Sequence, residues 1–316
     1  MKLFELGGQD GQSVANAALR NEVVNQMRLE TRIFEFLEWY QMSGSADTPK
    51  KASTETGGDE RTINADFAGV TGAPALGSVA LKILGDKIVT DKAYERRYIS
   101  IGSERLSELR SFSRGLARHF VNRFVNGDTV DAKQFDGLKK RCTGVRLTSV
   151  DGGADGFQVV LGNSDTAVKS QQKFIKALGS MINRVNPTIL VMNGDVIAYI
   201  EEIEKQFVRL DNIDGVTELA LTRYKNIPVI NAGRAKDDAT LVIGLNETKG
   251  ANVDCTSIYA VKTGERLDTT LATNVGLVVD DLGLVGTQYI TNVELDVDME
   301  ILSAYGAQRM EGVRLA

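Results

Sequence analysis

The stretch NPTILVMNGDVIAYIEE, Asn186 to Glu202, places a short apolar run, a turn of Asn193, Gly194 and Asp195, and a helix-like pattern in immediate succession. Two readings compete for it. In many α/β enzymes a strand end carries a catalytic carboxylate, which here would be Asp195. In the structural reading, Thr188 to Met192 is a buried strand and the turn starts a helix with Val196, Ile200, Ile203 and Phe207 on its apolar face. An acidic residue in a first helical turn is favourable against the macrodipole and the exposed amides without any catalytic duty. Upstream, VKSQQKFIKALGSMINRVNP carries Phe174, Leu178, Met181 and Val185 on one face, and Pro187 ends the helix. The spacing therefore predicts helix, strand and helix in sequence, with Asp195 a capping charge.

Outward from this unit the pattern stays mixed. ERLSELRSFSRGLARHFVNRFVNG is the longest predicted helix, capped by Ser103, striped by Leu106, Leu109, Phe112, Leu116, Phe120 and Phe124, and stopped by Gly127. Its other face carries Arg110, Arg114 and Arg118 at i, i+4 and i+8; a solvated face is the default reading of such a run, and the rival is that an anion or a partner's carboxylates relieve its mild repulsion. His119 beside them has no second histidine in the chain and reads as packed or surface-lying, not as a base or ligand. Further upstream, Asn21 to Tyr40 is read as an amphipathic helix with Trp39 widening its apolar surface, docked on its own domain or on a neighbouring chain.

The Gly44 to Gly72 stretch is polar and without periodicity, and reads as an extended excursion. Beyond it VALKIL and YERRYISI have strand character and predict two long strands joined as a hairpin-like arm, which another subunit would cover. VRLTSV and FQVVLG, separated by DGGADG, read as a hairpin; the loop lacks the alternating oxygen ligands and closing glutamate of a calcium site. From Val208 onward, short apolar runs alternate with polar turns, and two of them joined to Thr188–Met192 would build a central sheet.

Composition bounds the function. The 316 residues can bury a large core, and a net charge of -5 disfavours a dedicated nucleic-acid binder while leaving room for a local basic face. No run of about 20 apolar residues is present, so neither membrane insertion nor secretion is expected. Two cysteines, Cys142 and Cys255, suit buried reduced thiols and a cytoplasmic place of assembly. The nucleotide-binding, nucleophile-elbow and zinc-protease motifs are all missing, and the adjacent Asp280 and Asp281 have no partner base. No catalytic, cofactor or metal residue is assigned, and no cofactor is expected.

The order of segments carries a resemblance. FVNGD (124–128) is followed by FDGL (135–138), then ILVMN (189–193), NIPVI (226–230), CTSIYAVKTG (255–264) and a final GVRLA (312–316). Together with the N-terminal arm and the polar excursion before a long helix, these resemble a major capsid protein of tailed double-stranded DNA bacteriophages, of the Hong Kong 97-like fold shared with encapsulin shells. The resemblance implies an α+β chain divided into an N-terminal arm (1–41), an extended β-hairpin loop (42–98), a peripheral domain (99–168) with a spine helix at 103–126, an axial domain (169–287), and a return to the peripheral domain (288–316).

It implies self-assembly through pentamers and hexamers into an icosahedral head enclosing double-stranded DNA by non-specific contact. A separate scaffolding protein, a portal and a decoration protein would be partners, and the protein would reside in the virion after assembly in the host bacterial cytoplasm. A cellular nanocompartment shell of the encapsulin kind is the alternative, and a soluble α/β enzyme a more distant one. Arg110, Arg114, Arg118, Trp39, Tyr40, Asn193 and Asp195 are the residues expected at interfaces or on the inner surface.

Overall fold

A computed structural model describes residues 1–3, 5, 14–51, 60–67, 76–97, 100–204 and 222–315. Residues 52–59 and 68–72 of the polar stretch, Phe207, and Tyr98 and Ile99 within YERRYISI lie outside these residues.

The chain opens with helices α1 (Val14–Glu30) and α2 (Ile33–Phe36), then strand β1 (Trp39–Gln41). The helix expected over Asn21–Tyr40 is broken at Thr31–Arg32 and ends at Phe36, after which Trp39 to Gln41 pair in parallel with residues 271–273. Strands β2 (Ala46–Asp47) and β3 (Val79–Ala80) pair with each other and close the root of the excursion; β4 (Lys82–Asp91) follows. Helix α3 (Ile101–Asn126) begins two residues before the expected cap: Ser100 is the N-cap, and the Ser103 hydroxyl donates to its carbonyl at 2.8 Å.

After α4 (Leu138–Arg141) come β5 (Leu147–Ser149), β6 (Phe157–Val159), α5 (Asp165–Val185), β7 (Ile189–Met192) and α6 (Gly194–Glu204). The rest is strand: β8 (Arg223–Tyr224), β9 (Ile227–Asn231), β10 (Glu247–Lys249), β11 (Asn252–Val261), β12 (Thr269–Thr273), β13 (Leu277–Val285), β14 (Gln288–Ile301) and β15 (Ala307–Leu315).

Two expected pairings are replaced. VALKIL and YERRYISI do not form a hairpin, because Lys92–Arg97 coils into a 3₁₀ turn and β4 instead runs antiparallel along β14, Lys82 opposite Val297 through Asp91 opposite Gln288. With β13 also antiparallel to β14, the element is a three-stranded ribbon with one face packed on α1 and α3. Likewise β5 and β6 do not pair with one another. Asp151 turns the chain at φ 57°, and both strands then line β15 in parallel, one opposite Arg309–Glu311 and the other opposite Val313–Leu315.

The sheets share this logic. An eight-stranded mixed sheet runs β5-β15-β11-β7-β9-β8, with β6 beside β15 and β10 beside β11; a five-stranded sheet runs β1-β12-β14-β13, with β4 on β14. The two faces of the eight-stranded sheet feed different cores. Alternate residues Leu190 and Met192 of β7 face α5 and α6, meeting Phe174, Leu178, Val196 and Ile200. Ile189 and Val191 belong to the other core, with Trp39, Phe120, Phe124 and the buried residues of β14. Each fully buried Leu, Ile or Phe contributes roughly 1.5–3 kcal/mol, so the helix–strand–helix unit is held by its own apolar faces. α3 ends where Gly127 and Gly137 approach: the Gly137 amide donates to the Gly127 carbonyl at 2.8 Å.

Candidate assembly surfaces

The α3 arginines are not a free stripe. Glu22 and Glu30 of α1 share the eight-residue spacing of Arg110 and Arg118, so the two helices lie parallel with their charges matched. Arg110 Nε donates to Glu22 at 2.6 Å, and Arg118 Nε donates to Glu30 at 2.5 Å while its Nη1 reaches Asp238 at 2.7 Å. The Arg110 hydrogen bond holds the Glu22 carboxyl below its ordinary range against the opposing effect of burial. Of the three, Arg114 alone is exposed with no ion pair among the described residues. The like-charge strain read from the sequence is therefore relieved inside the chain.

Trp39 and Tyr40 also turn inward, contrary to the expectation of an interface. Both are buried, Trp39 stacks on Phe120 with ring centroids 5.9 Å apart, and Arg266 lies 4.6 Å over the Tyr40 ring. Strand pairing with β12 fixes this: Leu271 N–H donates to the Glu38 carbonyl at 3.0 Å and pulls the dipeptide into the sheet.

Asn193 and Asp195 divide the role given to Asp195. The buried Asn193 caps α6, its Oδ1 accepting from the Asp195 amide at 2.9 Å and its Nδ2 donating to the Ile243 carbonyl at 2.6 Å. Asp195 itself is an exposed charge in the first turn.

His119 lines a cleft of about 470 Å³ between β4, α3 and the 131–135 loop, with Arg123 and Lys236 at its walls. Burial first, and then these two cations, push its pKa down to about 4. A neutral imidazole so far from its ordinary value is poorly matched to acid–base work near neutral pH. Among the described residues no group of three or more His, Cys, Asp or Glu could hold a metal ion, and no helix is long and apolar enough to cross a membrane.

Sequence reasoning missed a buried ionic cluster at the root of the excursion. Glu300 of β14 meets Arg141 at 2.9 Å and Lys51 at 3.1 Å. Asp298, on the same strand face, accepts the Ala80 amide at 2.7 Å, and burial pushes its carboxyl up. The legible signal was the DVDME run, where carboxylates alternate with the apolar Val297 and Met299 in a strand that is buried from Val297 onward.

Beyond this root the ribbon leaves apolar side chains uncovered. Ile83 is 71% exposed, Leu282 55%, Val285 50% and Leu284 43%, all on β4 or β13. Such uncovered side chains on an open-edged ribbon suit burial against another chain.

Comparison with solved structures identifies this architecture. The SrpI encapsulin of Synechococcus elongatus superposes with a TM-score of 0.61 at 13% identity, over 90% of this chain and 87% of that one. The chain has the fold of a Hong Kong 97-like shell protein. The capsid of a native GTA particle matches with a TM-score of 0.58 at 14% identity over 91% and 90% of the two chains. A virus-like particle from Pyrococcus furiosus matches at 0.51 and 12% over 94% and 100%. No protein-family model and no curated protein sequence matches. This Hong Kong 97-like architecture is common to the capsids and encapsulins matched, so the fold by itself does not choose between them.

Proposed function

We propose that the chain is a non-catalytic structural protein that self-assembles into a closed icosahedral shell. The observation that carries this is the three-stranded ribbon β4–β14–β13, whose Ile83, Leu282, Leu284 and Val285 lie open in the single chain. Covering them by neighbouring copies buries apolar area worth about 25 cal/mol per Å², repeated at every related contact of a symmetric particle. The division into arm, extended loop, peripheral and axial regions is carried over with this reading.

The content of the shell is read from charge. Arg110 and Arg118 are neutralised by α1, and the chain as a whole carries -5, which supports a compartment for protein cargo of the encapsulin kind. A phage head is the second reading, supported by the long polar excursion rooted by β2 and β3, which exceeds what a plain hairpin needs. In it, packaged double-stranded DNA, a scaffolding protein, a portal and a decoration protein are the partners, and the virion the location. Negative-stain microscopy of particles purified from cytoplasm, followed by nuclease treatment and extraction, tests both. Closed shells with co-purifying protein and no protected nucleic acid support the first; protected double-stranded DNA supports the second. A chain that stays monomeric under all assembly conditions overturns both.

A further inference from the structure

Among the described residues a largely unpaired cationic stripe lies on α5, whereas two of the three α3 arginines are paired. Over 21 residues α5 carries Lys169, Lys173, Lys176 and Arg184 against the single acid Asp165. All four cations are exposed, and only Lys173 has an ion pair among the described residues, with Asp151 at 2.6 Å. Like charges at i, i+4 and i+7 repel one another and favour an external anion. Helix α6 is the opposite case. Its 11 residues carry Asp195, Glu201, Glu202 and Glu204 and no cation. Val196, Ile200 and Ile203 face the core, so Asp195 and Glu201 fall on the outward arc.

The two helices sit on the same face of the eight-stranded sheet but over different strands, α5 over β6, β15 and β11, and α6 over β9. Among the described residues no ion pair joins them within the chain. We propose that the cationic face of α5 docks on the acidic face of α6 of a second copy. In this arrangement α5 of each copy meets α6 of the next and its own α6 meets the copy before, a heterologous contact that repeats head to tail and gives a ring when the rotation closes, whereas a reciprocal pairing of the same two helices would stop at a twofold dimer. This rests on the shell reading and adds to it the contact that sets subunit order around each ring. Complementary charge of this kind fixes register and rejects wrong partners more than it adds raw affinity.

The test uses the full chain with Lys169→Glu/Lys176→Glu, with Asp195→Lys/Glu201→Lys, and with all four together, each checked for an unchanged thermal melt. Assembled fraction is read by size exclusion and microscopy at low and high salt. Each double variant is expected to lower it about tenfold, and the fourfold variant to regain most of the loss, since the charges are exchanged and not removed. Assembly of both double variants at the wild-type level overturns the proposal and leaves the shell reading standing. So does a fourfold variant no better than either parent. Intact particles that lose only nucleic acid in the α5 variant overturn it too, giving the stripe to nucleic acid. A wild-type chain that never assembles removes the shell reading and this contact together.

Discussion

Gly127 and Gly137 meet backbone to backbone. A Cβ placed on Gly127 would lie 2.3 Å from the Phe135 carbonyl oxygen, and one on Gly137 would lie 2.6 Å from the Gly127 nitrogen. Gly127 has φ -53°, so lack of room and not handedness demands glycine there. Gly127→Ala and Gly137→Ala are each expected to cost about 1–3 kcal/mol or more, since backbone must move. Gly115→Ala on the same helix, where an added Cβ meets nothing within 4 Å, is expected to be neutral or slightly stabilising. Urea midpoints of the three variants check the contrast.

The half-buried position of His119 sets a pH dependence. Its folded pKa of about 4 lies below the ordinary 6.5, so between these values the unfolded chain binds the extra proton. Stability from this group is present above pH 6.5 and is lost as pH falls towards 4. Denaturant unfolding at several pH values should show the decline, and His119→Gln should remove that part of the slope. An unchanged slope in the variant would refute the assignment.

Arg141 bridges the two carboxylates at the excursion root. Arg141→Met strands the buried Glu300 and Asp298 with only Lys51 nearby, at a cost of about 3–5 kcal/mol at neutral pH. Asp298 has a raised folded pKa, so its contribution is fully present below 3.8 and is lost as pH rises through the folded value. The variant is therefore expected to recover part of its deficit on acidification. Urea midpoints at neutral and acidic pH measure this.

Trp39 is the single tryptophan, which makes it a reporter. Packed on Phe120 in its own chain, it should give blue-shifted emission before assembly and no further shift on assembly. Red-shifted emission from the unassembled chain would contradict the packing. Trp39→Ala is expected to cost about 3–5 kcal/mol, and Trp39→Phe less, because the buried indole N–H has no acceptor among the described residues.

These residues also show what sequence can carry. Helices α3 and α5 and strand β7 were legible because their cores repeat at helical or strand spacing and their ends are set by Gly127 and by the Asn186–Pro187 step, all local features. The pairings of β4 with β14, and of β5 and β6 with β15, were not, because partners distant in sequence outcompete the nearest plausible hairpin. The α3 arginines were found as a charge pattern, but their destination lay in a matching spacing on another helix, Glu22 and Glu30. The cations of α5 lie opposite its apolar face at helical spacing, but only the fold shows that α6, on the same side of the sheet, carries the opposite charge.

β14 has a mechanical meaning as well. Its 14 residues, about 45 Å when extended, begin in the open ribbon at Gln288 and end at Ile301 in the innermost packing. One uninterrupted backbone therefore acts as a lever whose short end is clamped by Arg141 and Lys51 through Glu300. In the proposed shell, a neighbour pressing on the ribbon would load this strand at both ends, through the Arg105 contacts to Asp281 and Tyr289 that tie the ribbon to α3 and through the clamp on Glu300.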